Sequence, residues 1–141
     1  LMIQLKRFGV NESSSFQNWE GGTWKGGTWK DGIWEDGVWE NGRWRDGVWK
    51  GGTWKDGIWY NGTWSRGTWK RGTWKDGYWA DGIWEDGTWE KGWWHDGVWK
   101  RGRWELGWIY DPDRKGNFEA DWAWKKDYVY SLIDPAEYFN R

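Results

Sequence analysis

Few residues in this chain could do chemistry, and one type outnumbers the rest. There is a single histidine, His95, in the string KGWWH, and there is no cysteine. A catalytic imidazole needs a partnered nucleophile or acid. The sequence places none beside His95, which reads as a surface residue. Without cysteine there is no thiolate, disulfide or Cys-based metal site. Asp31, Asp36, Asp46, Asp56, Asp76, Asp81, Asp86 and Asp96 each precede a glycine. Their period and ligand pattern do not match a calcium solenoid, so they read as turn residues. The glycines form no phosphate loop. The sequence therefore predicts no enzyme: no catalytic residue, no metal and no cofactor. What remains is tryptophan, 22 of 141 residues, beside 23 glycines. Indoles stack on flat ligands. Trp93, Trp108, Trp122 and Trp124 fall outside the main tryptophan period and are the candidate ligand-binding residues, for a glycan.

The other tryptophans are ordered by a repeat. From Trp19 to Trp104 one falls at every fifth position, 18 in all. Glycine keeps the same period from Gly22 to Gly107, so the unit is x-G-x-W-x, as in DGIWE and DGVWK. A glycine every five residues forbids a stable helix. The residue before Gly is Asp, Asn or Gly in 13 of 18 units, with Arg66, Arg71, Lys91, Arg101 and Leu106 as exceptions. The residue before Trp is Thr, Ile or Val in 13 of 18, and these types favour strands. The residue after Trp is mostly charged, as in Lys25, Glu35 and Arg45.

Asp-Gly or Asn-Gly between strand formers is the strongest short hairpin signal. The leading expectation is therefore an all-β antiparallel meander of about 18 short strands, joined by two-residue Asp-Gly-type turns and curled so that Trp is inside. In support, GIWEDG (residues 32–37) resembles the core of a MORN repeat. That resemblance implies hairpins in a single-layer antiparallel sheet.

The alternative is a β-solenoid. Residues 22–107 resemble pentapeptide-repeat proteins, whose quadrilateral coils turn one small and one large residue inward per side. This chain departs from that family in using Trp, where Leu or Phe is usual, and a β-branched outward residue. Four tryptophans per coil would also crowd the interior. With four units per coil, Lys30, Lys50 and Lys70 would form a basic ladder, and like charges directly opposite are destabilising. In the meander, like charges adjoin only at Arg43/Lys50 and Lys100/Arg103. The charge pattern thus favours the meander. A 25-residue echo of Ile33, Ile58 and Ile83 reads as duplication history.

Eighteen tryptophans on one face represent roughly 3,000–4,000 Å² of mainly apolar surface. Exposed patches above a few hundred Å² are rare, so this face must be buried, within the chain or against another copy. Each buried indole N–H should find a neighbouring carbonyl.

The domain reading is an N-terminal cap strand and loop over 1–18, the array over 19–108, and a C-terminal cap over 109–141 with strands and a short helix. Asp134-Pro135-Ala136-Glu137 has the form of a capped helix start. The expected partners are other copies or other proteins of an assembly, with a glycan as the alternative. Nucleic acid is not expected, because 21 basic residues face 22 acidic ones. A membrane is not expected either, since no basic amphipathic helix is visible. With no signal peptide or spanning segment visible, the expected location is the cytoplasm or a virion. Repetitive Trp-Gly pentads resemble repeat proteins encoded by bacteriophages, which implies a structural or assembly role.

Overall fold

The computed structural model describes residues 17–111 and 116–120; residues 111 and 116–120 are described by their backbone alone. The expected N-terminal strand and loop, the helix over 135–140, and Trp122 and Trp124 lie outside the described residues. Within them there are strands and no helix.

The pentads do not fold into a meander. Each pentad forms one side of a three-sided coil, and three pentads return the chain to its starting side one layer up. Strands pair in parallel at a spacing of 15 residues: Thr23 with Val38, Val38 with Thr53, Trp24 with Trp39. The result is a stack of short parallel rungs in three sheets, a β-solenoid of about six turns. Side one runs through Gln17–Trp19, Gly32–Trp34, Val48–Trp49, Thr63–Trp64, Tyr78–Trp79, Trp93–Trp94 and Gly107–Asp111. Side two runs from Thr23–Trp24 to Val98–Trp99, and side three from Thr28–Trp29 to Arg103–Trp104. Among the described residues one pairing is antiparallel: at the end of side one Gly116–Ala120 lies along Gly107–Asp111, with Trp108 opposite Glu119.

Glycine explains why the chain bends rather than reverses. The corner glycines, Gly22 to Gly107, hold φ between +97 and +137°, a region that L side chains rarely enter. Corners also stack closely. A Cβ at Gly57 would overlap the Gly42 carbonyl oxygen, and would lie 3.0 Å from the Gly42 nitrogen and 3.2 Å from Trp39 Nε1. The preceding Asp or Asn supports the bend, with its Oδ1 accepting the glycine N–H at 2.8 Å, as at Asp36–Gly37 and Asn41–Gly42. Each side then makes backbone bonds to the coil below, such as Val38 N–H to Gly22 C=O at 2.8 Å and Glu40 N–H to Trp24 C=O at 2.8 Å.

Tryptophan explains why there are three sides. All 18 periodic indoles are buried, at 0–2% exposure. Around a coil they meet edge to face, with centroids 5.5–5.9 Å apart and planes at 68–77°. Along the axis they stack with centroids 4.6–5.1 Å apart and planes within 4–8°. Both are preferred aromatic arrangements, and the stacking distance is close to the spacing between paired strands. Three indoles edge to face fill the interior, and Ile109 continues the column of Trp94 on side one. Contact between consecutive tryptophans, which a meander also predicts, occurs here around a corner: Trp24 and Trp29 are 5.9 Å apart and edge on.

The correction on charge follows from coil size. At a spacing of 15 the columns after Trp bring unlike charges together at six junctions and like charges at four, Glu20/Glu35, Lys30/Arg45, Lys55/Lys70 and Glu90/Glu105. Lys50 pairs with Glu35 (3.9 Å), Lys70 with Glu85 (3.8 Å) and Lys75 with Glu90 (3.6 Å). Where Arg45 and Lys75 share a column, Tyr60 lies between them, its ring 5.0 and 5.9 Å from the two cations. Lys30, Lys50 and Lys70 fall on different sides and form no ladder. Three of the five corner exceptions are explained in the same way: Arg71, Lys91 and Arg101 each stand one coil above an aspartate, Asp56, Asp76 and Asp86, at 3.2, 3.8 and 3.2 Å.

The expectation for the indole N–H groups is met only in places. Trp34 donates to the Gly51 carbonyl at 3.1 Å and Trp79 to the Asp96 carbonyl at 3.0 Å. Thirteen others, Trp54 among them, are buried without a partner. An unmet donor costs about 1–3 kcal/mol. Burying an indole is worth about 4–6 kcal/mol as an upper bound, and its ring contacts add to that.

Candidate functional site: an aromatic ladder on one face

In each side the residues before and after Trp face outward. On sides two and three these positions carry charge repeatedly, as at Lys55, Lys70, Glu85 and Lys100, or at Arg43, Lys75, Glu90 and Arg103. The upper half of side one is different. Over four successive coils its outward pairs are Thr63 and Ser65, Tyr78 and Ala80, Trp93 and His95, and Trp108 and Tyr110. None is an acid, lysine or arginine. Tyr78, Trp93 and Trp108 are 38%, 41% and 38% exposed, and Leu106 at the adjoining corner is 38% exposed.

Parallel register lines these residues up. Tyr78 is opposite Trp93, and Trp93 is opposite Trp108. The Trp93 and Trp108 rings stack at 5.4 Å with planes 16° apart. In the neighbouring column His95 stacks on Tyr110 at 4.7 Å and 20°, and Tyr78 leans toward His95 at 6.2 Å. The site is therefore two aromatic columns two residues apart on one flat face.

Of the four tryptophans expected to bind ligand, the fold brings Trp93 and Trp108 together. Trp122 and Trp124 are outside the described residues. Sequence reasoning missed Tyr78, His95 and Tyr110 as neighbours of this pair. The signal was present, since 78, 93 and 108 are spaced by 15, as are 95 and 110. It becomes legible only once the coil length is known.

The turn aspartates accept from their own glycines, as Asp56 and Asp86 do at 2.8 Å. Among the described residues no group of three or more His, Asp or Glu could hold a metal ion, and no helix is long and apolar enough to cross a membrane. No family model matches the chain, and no curated protein or solved structure matches it.

Proposed function

We propose that this chain is a non-enzymatic structural module, a rigid spacer or scaffold within a multi-copy assembly such as a phage particle. The observation that supports it most is the interior. Three unbroken columns of stacked indoles run the length of the array, and close-packed interiors of this kind resist compression and bending. The repeat spends its invariant positions on corners and core and leaves its outward positions to vary. That division suits a part whose length and stiffness matter more than any one site. Partners would be further copies or other proteins of the assembly. Single-molecule pulling tests the reading. A spacer extends little under load and then gives way abruptly, whereas gradual extension at low force would sink it.

A further inference from the structure

We propose that the aromatic face of side one binds an uncharged polysaccharide chain laid along the solenoid axis. This goes beyond the spacer reading and does not depend on it.

Three observations select the ligand. The first is charge. The outward positions of Thr63 to Tyr110 on this side carry no acid, lysine or arginine through four coils, while the other two sides carry charge through the same coils. At the adjoining corner Lys91 and Asp76 pair with each other at 3.8 Å, so a neutral partner fits this face better than a phosphate, a carboxylate or an acidic peptide. The second is area. Four coils spaced as neighbouring strands are, on a side about three residues wide, cover on the order of 200 Å². A standard protein interface takes about 800 Å² per partner. The face is too small for a second copy or another protein and suits a thin chain of a few sugar rings.

The third is repeat. Trp93 and Trp108 follow one another at 5.4 Å and His95 and Tyr110 at 4.7 Å. One sugar of an extended β-linked hexopyranose chain has nearly this length, so each coil meets one sugar. The mutual stack of Trp93 and Trp108 covers their facing surfaces, so the pair offers rims rather than a flat platform. The rim of an aromatic ring is its electropositive part and, in indole, carries an N–H that can only donate. Hydroxyl and ring oxygens are the acceptors that suit it. The phenol of Tyr78 adds a donor and acceptor to the same column as Trp93, and the imidazole of His95 and phenol of Tyr110 add them along the second.

Affinity electrophoresis of the full chain, through gels with and without a soluble uncharged β-glucan such as hydroxyethylcellulose, tests this. Wild-type protein should be retarded by the glucan. The double variant Trp93→Thr/Trp108→Thr should lose that retardation, with affinity lower by roughly tenfold or more. Thr63 holds the equivalent place three coils below Trp108, so the backbone accepts the change, and an unaltered near-ultraviolet CD spectrum confirms the fold. Ala80→Lys, which puts a charge on the face, should weaken retardation as well. Tyr60→Thr, on side three, should leave it unchanged. Unretarded wild type, or equal retardation of the double variant, overturns the proposal. So does a wild type that binds neutral phosphatidylcholine vesicles or dimerises, and loses that behaviour in the double variant: the face would then belong to a bilayer or a second copy.

Discussion

At the scale of the residue, two glycines that look alike in the sequence do different work. Gly57 holds φ +124° and packs against the Gly42 backbone of the coil below. Gly21 has nothing within 4 Å of a built Cβ and no positive φ. Gly57→Ala should cost on the order of 3 kcal/mol from backbone strain and the forced contact. Gly21→Ala should be neutral or stabilise by up to about 1 kcal/mol, through the unfolded chain. Urea melts of both variants check this, and equal losses would contradict the corner geometry. The indoles offer a second contrast. Trp79 donates to a carbonyl, whereas Trp69 is buried with its N–H unmet. Both rings have the same four kinds of aromatic neighbour. Replacement by Phe removes similar packing from each, yet at Trp69 it also removes an unmet donor. Trp79→Phe should therefore be the more damaging by about 1–2 kcal/mol. Comparable melts for the two would show that the bond at Trp79 contributes nothing.

At the scale of the element, the unit of change is the side. The three sides present the same G-x-W to the interior, so adding one whole pentad rotates everything above it by one side and keeps every indole in a column. Inserting DGTWK between Tyr60 and Asn61 should leave the fold intact. Arg71 would move off Asp56, and an exposed pair of this kind is worth less than about 1 kcal/mol. Inserting only four residues breaks the phase, turns a Trp outward and should lower the melting temperature sharply. Circular dichroism melts of the two insertions decide it; equal behaviour would refute the equivalence of sides. The same equivalence explains what could be read in the sequence. The pentad, the burial of its tryptophans and the strand-forming place beside them are local and were legible. How many pentads make a turn was not, because Asp31-Gly32 looks the same before a hairpin as before a corner. Both need a residue that tolerates positive φ. The evidence that could have decided it lay at a spacing of 15, in Asp56 with Arg71 and in Trp93 with Trp108. At a spacing of 20, that of a four-sided coil, Lys30, Lys50 and Lys70 suggest a basic ladder that a three-sided coil does not form.

At the scale of the whole molecule, the array is close to one-dimensional. Each coil touches only the coils above and below, and the same aromatic contacts recur at every junction, 4.8 Å at Trp39–Trp54 and 4.9 Å at Trp69–Trp84. Stability in such a protein is close to a sum over units and junctions. Opening a middle coil breaks two indole junctions, whereas opening the coil of Trp19, Trp24 and Trp29 breaks one, to Trp34, Trp39 and Trp44. A junction contains three stacked ring pairs, each worth about 0.5–1.5 kcal/mol beyond its area, so the difference amounts to a few kcal/mol. Hydrogen exchange should show it. The amides of Thr68, Lys70 and Thr73, which bond to Gly52, Trp54 and Gly57, should exchange slowest, near the rate set by global unfolding. Those of Glu35, Val38 and Glu40, which bond to the first coil, should exchange faster by a factor of roughly ten to a few hundred, matching about 1.4–3 kcal/mol. Uniform protection from the first coil to the last would overturn the one-dimensional picture. It would mean that the three indole columns open only together, as a single cooperative body.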